Sequence, residues 1–450
     1  MASTEDAITV THNMERESFD MSAEEPTQVF HQTERWNHPR SNILKTLATF
    51  WSFLVMGMND AAYGPLLPYL ESHYELSYTV VSLVFFSPLG GYTLAALVNN
   101  KIDATLGRRG VAFLAPGCHL IAYIINCLHP PYPVLVVSFI FAGFGNGLSD
   151  AAWNAWLGNM ANANQLLGLL HGLYGAGGVM SPIIATSLIT RAGLDWYYFY
   201  YIMIGCAALE LAFCLAVFWD SPAKVRDSTR EEETQGGLRE VLFTKNYARV
   251  TWICALFLLG YVGIEVALGG WIVTFMMQIR NGQAFASGMT ATGFWLGITV
   301  GRVLLGFVTP QIGEKIAIIV YPPCPIYSTQ LTSRNQIYSL LAIGLGLILW
   351  LVPNFYASAV AVSLQGFFLG PFFPAVVVVA TKLLPKSQHV SAIGFAAAFG
   401  GGGAAILPFA VGAIAQAKGV EVLQPFIIGL SGGILLLWLG LPRMPTKDHE

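Results

Sequence analysis

Charge is scarce in this chain. Lys, Arg, Asp and Glu make up 11% of its 450 residues against 54% hydrophobic, where soluble domains carry about a quarter charged. With a mean hydropathy of +0.57, that shortage excludes an ordinary globular enzyme of this length and calls for lipid as a solvent. The net charge of −3 offers nucleic acid no basic surface. Cysteine is sparse as well. The six residues at 118, 127, 206, 214, 254 and 324 are scattered, mostly in apolar stretches, with no CxxC pair, so neither a disulfide framework nor a metal cage is expected. A Walker loop, an HExxH helix, a Cys/His cluster and a nucleophile elbow are all missing. No acid–base–nucleophile set converges, so the expectation is no enzyme and no cofactor, with energy drawn from a gradient and not from ATP. Residues 1–43 are polar and mixed in charge without a cleavable signal peptide, and read as a disordered cytosolic tail.

Long apolar runs are what the chain has instead. About twenty such residues cross a bilayer as a helix. Spans are expected near 44–70, 79–99, 111–128, 133–157, 165–190 and 196–219, the third of them short. The charged stretch Asp220 to Lys245, containing DSTREEETQ, follows as a cytosolic central loop. Spans resume near 248–277, 288–312, 337–352, 355–381, 388–417 and 423–441, before a cytosolic tail at 442–450. This predicts an all-α membrane protein of twelve transmembrane helices in two pseudo-symmetric six-helix halves. If the N-terminus is cytosolic, the inner loops hold Lys101, Arg108, Arg109, Lys224, Arg226, Lys315, Lys382 and more, and the outer ones only Arg191, Arg280 and Lys418. Lysine and arginine favour the cytosolic side, so both termini are expected there.

The halves repeat one another. GMNDAAYGPLLPYL in the first span places Gly57, Asp60 and Gly64 as VGIEVALGGW in the seventh places Val262, Glu265 and Gly269. GFGNG from Gly143 returns as GFFLG from Gly366, and GAGGVMSP (175–182) as GGGAAILP (401–408). Any single Gly match is weak, since small residues are common in membrane helices. Three in order are not. A parallel repeat of six spans describes a carrier that binds solute near midplane between its halves.

These strings resemble the major facilitator superfamily over residues 44–441. GMNDAAYGPLLPYL and GFGNGLSDAAWNAW resemble its fucose–proton symporter branch, with wording nearest to fungal transporters of the bypass-of-stop-codon type. The loop NNKIDATLGRRG (99–110) matches the superfamily's loop after span 2 in part: Gly107 comes four residues after Asp103, where three is usual. The resemblance implies gating roles for Asp103, Arg108 and Arg109, and proton coupling through an aspartate in span 1 and an acidic residue in span 4.

A carboxylate in hydrocarbon costs several kcal/mol, and low dielectric disfavours its charged form. Asp60 is therefore the first candidate proton carrier. The bland alternative is a carboxylate that bonds Asn59 and nearby backbone. Asp150, with Asn146 and Asn154 four residues to either side, lies on one helix face; Trp153 and Trp156 interleave with it. That ridge suits a polyhydroxylated ligand, or else serves as interhelical glue. Arg302 in span 8 is expected to pair with Glu265, which would make Glu265 a fixed charge; otherwise Arg302 snorkels to phosphate. His171, Asn59, Tyr63, Trp271 and Gln365 are candidates to line a substrate cavity, and each alone is more often packing. Gly175, Gly177, Pro182, Gly401, Gly403 and Pro408 are expected to allow close helix contact and bending.

Residues 320–336 are Pro-rich and polar, with no counterpart in the first half. They read either as the translation of an unremoved intron or as a real cytoplasmic loop, in which case span 9 begins at Ile337. The expected function is secondary active transport of a small organic solute, a sugar or polyol first, with protons. The expected partners are the bilayer, the solute and protons, with the chain a monomer in the plasma membrane or an internal membrane. A gradient-independent uniporter and a transporter-like solute sensor are the alternatives.

Overall fold

The computed structural model describes residues 34–221, 240, 242–305, 330–385 and 388–442. The expectations for residues 1–33, 222–239, 306–329 and 443–450 lie outside these. Among the described residues the chain is helical almost throughout. The first helix, α1, is Ser41–Tyr74. A single turn, Tyr78–Val81, leads into Leu83–Cys127. That helix is broken at Gly107, where φ is 65° and ψ −166°, a backbone that glycine adopts without strain. Its limbs 83–106 and 108–127 are α2 and α3. The expected loop over 99–110 is thus mostly helix, with the reversal compressed into one residue. Asp103 lies exposed on the end of α2. For the same reason the third span is not short: α3 begins at Arg108.

The N-terminal half continues with α4 (Tyr132–Gly158), α5 (Ala163–Thr190) and α6 (Tyr198–Phe218). The other half holds α7 (Lys245–Gln278), α8 (Ala284–Val303), α9 (Gln330–Leu351), α10 (Phe355–Leu383), α11 (His389–Lys418) and α12 (Leu423–Leu439). Among the described residues, nine segments are long and apolar enough to cross a membrane; α1, α8 and α9 occupy the remaining expected spans. The helix at span 9 begins at Gln330, seven residues before Ile337, and residues 320–329 lie outside the described residues. Large apolar side chains such as Leu97, Leu436, Val360 and Leu340 stand exposed on the outside, as contact with hydrocarbon requires.

The repeat is visible in the packing. α1 lies on α5 as α7 lies on α11, α2 on α4 as α8 on α10, and α3 on α6 as α9 on α12. The first pairing needs bare backbone: a Cβ on Gly57 would overlap the Tyr174 carbonyl, and one on Gly177 that of Leu54. Gly403 meets the Leu259 carbonyl in the same way, whereas Gly401 faces open space and is not a contact glycine. Gly177→Ala is therefore expected to cut the yield of monodisperse protein on size exclusion about tenfold, and Gly401→Ala to leave it nearly unchanged.

Candidate functional site

Asp60 sits mid-helix in α1 and is only partly buried. Donors from three helices converge on it. Asn59 Nδ2 donates to Oδ1 at 3.0 Å, Asn146 Nδ2 of α4 to the same oxygen at 3.1 Å, and the Tyr174 hydroxyl of α5 to Oδ2 at 2.9 Å. The expected bond from Asn59 is present, but it is one of three. Such a shell suits a carboxylate, which accepts only. A protonated acid would need an acceptor. Asn146 Oδ1 is buried without a partner among the described residues, and turning that amide over presents it to Asp60. The site can serve both proton states.

One turn further along α4, Asp150 Oδ1 accepts from Asn154 Nδ2 at 2.7 Å, and Asn154 Oδ1 meets His171 Nε2 of α5 at 3.2 Å. His171 also stands edge-on to Phe53, ring centres 5.5 Å apart. The ridge read from the sequence thus forms one polar wall with His171. Its tryptophans do not join it. Trp153 and Trp156 are buried against Phe218 of α6, at 4.7 and 5.3 Å between rings, because at their helix positions they face the core of their own half.

Across the interface, Glu265 of α7 is already engaged. Arg302 donates from one Nη to both carboxylate oxygens at 3.0 and 3.1 Å and to the Tyr261 hydroxyl at 3.1 Å, while its Nε reaches the Gly370 carbonyl at 3.3 Å. The pairing expected from the sequence is there, and the snorkelling alternative is not.

Other candidates lie elsewhere. Trp271 is fully buried, its indole N–H spent on the Pro408 carbonyl at 2.9 Å, so it ties α7 to α11 and does not line a cavity. Gln365 is buried and donates to the Ala342 carbonyl at 3.2 Å, facing α9 within its own half. Tyr63 is 6% exposed and packed between Phe85 and Phe139. Gly175 packs on Thr299 of α8 across the halves, and Pro182 sits within α5. Arg108 lies over the Trp156 ring and Arg109 over Trp219, 4.0 Å from its centre, so both anchor the α3 start on neighbouring aromatics.

Sequence reasoning missed Tyr174, Tyr261 and Trp295, whose indole N–H is buried beside Gly178 and Gly269 without a partner among the described residues. Aromatic residues are too common in membrane helices to stand out. It also missed His119 and Glu210, which the rule applied to Asp60 would have flagged.

Contacts between the halves gather at the end bearing the turns after α1, α3, α5, α7, α9 and α11. The Tyr78 hydroxyl donates to Gln278 at 2.6 Å and its N–H to Gln416 at 2.7 Å; Arg191 lies 3.8 Å over the Phe285 ring. The Gly64 and Gly269 backbones touch, and Phe86 meets Phe409.

Two repeated helical halves with ionisable groups between them define a multi-pass membrane transporter. The model of the Major Facilitator Superfamily matches residues 49–324 and 321–450, and the chain belongs to that family. It is 29% identical over 428 residues to Bypass of stop codon protein 6 of Saccharomyces cerevisiae (strain ATCC 204508 / S288c), across 90% of this chain and 84% of that protein. It is 22% identical over 374 residues to Glucose/mannose transporter GlcP of Bacillus subtilis (strain 168), across 80% and 85%. Among solved structures, a D-xylose-proton symporter superposes with a TM-score of 0.70 at 13% identity, covering 89% of this chain and 98% of that one; this likeness is one of fold.

Proposed function

We propose that this protein moves a sugar-like solute together with protons by alternating access, with Asp60 as the proton carrier and Asp150 beside it. The observation that carries the reading is the contrast between the two interface carboxylates. Asp60 is partly exposed, holds three neutral donors and has a buried acceptor within reach for its acid form. Glu265 is locked to a guanidinium. Protonating Asp60 removes a charge that is costly in a low dielectric; protonating Glu265 would strand Arg302. The amide and imidazole groups of Asn154 and His171 suit a hydroxylated solute, in line with the sugar named for the Bacillus relative. With the N-terminus cytosolic, as the lysine and arginine distribution favours, the joined end is the outer one and the site opens inward. We place the chain in the plasma membrane as a monomer.

The test is uptake of labelled sugars by proteoliposomes of the purified chain, with and without an inward proton gradient. Accumulation of one sugar only under the gradient is the expected result. Gradient-independent equilibration would make the protein a uniporter, and no flux for any sugar would remove the substrate class.

A further inference from the structure

Behind the Asp60 site, wholly inside the N-terminal half, lies a second ionisable cluster. His119 of α3 and Glu210 of α6 are both 0% exposed, with Nδ1 and Oε2 3.0 Å apart. The Ser52 hydroxyl of α1 donates to the other oxygen, Glu210 Oε1. Ser52 and Ser149 Oγ lie 3.3 Å apart; since the one Ser52 proton is spent on Glu210, Ser149 of α4 is the donor there. Both serine hydrogens thus point toward Glu210, and with Glu210 as a carboxylate His119 is the Nδ1–H donor to its second oxygen. The far nitrogen, His119 Nε2, is buried without a partner among the described residues. Its ring edge lies against the bare Cα of Gly145, where a Cβ would come within 2.6 Å of Nε2.

With Nε2 bare the pair carries a net −1, and with a proton on it the pair is neutral. Each form leaves one cost. The bare form holds an uncompensated buried carboxylate, and the protonated form an N–H without an acceptor. A buried ion pair is weak evidence for a stabilising role, since apolar replacements are often neutral or better. The surroundings connect it to the transport site instead. Ser52 lies two turns below Asn59 and Asp60 on α1, and Ser149 adjoins Asp150 on α4. The Ser52–Ser149 chain thus ties the pair to the two helices that carry Asp60 and Asp150. The other titratable groups facing the pair are Tyr123, stacked on His119 at 6.1 Å, and Cys206 and Cys214 of α6.

We propose that the His119–Glu210 pair is a second proton-binding site, with Nε2 of His119 as the acceptor, charge-coupled to Asp60. The step is simple: a hydronium ion gives its proton to the Nε2 lone pair, its O–H bond breaks and water leaves, and neutral imidazole becomes imidazolium. The site does not require that transport itself be proton-driven.

The experiment is nitrogen-15 NMR of the full chain labelled at histidine, in detergent, through an acid titration. The His119 signals are assigned by their loss in His119→Gln or, where that variant fails to fold, by their displacement in Tyr123→Phe, which keeps a ring stacked on His119. The expected result is conversion from the Nδ1–H tautomer to imidazolium, with proton affinity at least about threefold weaker in Asp60→Asn, where the attracting carboxylate is gone. A His119 that never gains the second proton overturns the site. One that gains it with equal affinity in Asp60→Asn overturns the coupling. Gradient-independent uptake would instead remove the symport reading and leave this one standing.

Discussion

Asp60→Asn abolishes uphill transport while sparing exchange. In proteoliposomes with about two pH units across the membrane, one proton per solute supports about hundredfold accumulation; in the variant the ratio falls to about one. Exchange of labelled against unlabelled solute at equal concentrations persists, because it needs the halves to rock and not the proton to leave. The reason lies in the shell around the side chain. Asn59, Asn146 and Tyr174 all donate to the carboxylate, and an amide offers them one acceptor oxygen but brings two hydrogens of its own. Leaving a buried donor unmatched costs about 1–3 kcal/mol, which turning the Asn146 amide relieves, so the fold survives. Accumulation retained in Asp60→Asn would move the proton to Asp150 or away from this wall altogether.

Arg302→Met produces the largest loss of stability. Glu265 is 5% exposed and Arg302 is its cation, with side chains 7% and 19% exposed. Removing one partner of a buried pair costs about 3–5 kcal/mol, because the remaining charge has no water to return to. Thermal unfolding of the purified variant in detergent is expected to show that loss. The double variant Arg302→Met with Glu265→Gln, which removes both charges, is expected to recover most of it. Equal loss in both would mean that Arg302 matters through its contacts with Tyr261 and Gly370 rather than as a counter-ion.

Much of this was legible in the residues. A run of twenty apolar residues can satisfy its backbone in hydrocarbon only as a helix, so span positions and the twofold repeat of six spans follow from local composition. The cost of a carboxylate in that run singles out Asp60, Asp150 and Glu265 in the same way. Boundaries were less legible. Gly107 turns the chain within one residue, and composition alone read twelve residues of loop around it.

What lay beyond the sequence is who meets whom. Trp271 and Gln365 looked like cavity residues, yet Gln365 faces α9 of its own half, and Trp271 is spent on Pro408 and packed against the Tyr78 and Phe85 rings of the other half. Tyr174 and Tyr261 did not stand out at all, yet they complete the two charged sites. A helix is rotated about its axis by the partners it packs against, and in this chain those partners come from segments tens to hundreds of residues away. The sequence by itself determined the number of membrane helices, their pairing into two halves and the presence of acids inside them, because each depends on the cost of polarity in lipid, counted locally. Only the tertiary structure decided that Asp60 faces neutral donors, Glu265 a guanidinium and Glu210 a histidine, because that depends on which faces of distant helices come into contact.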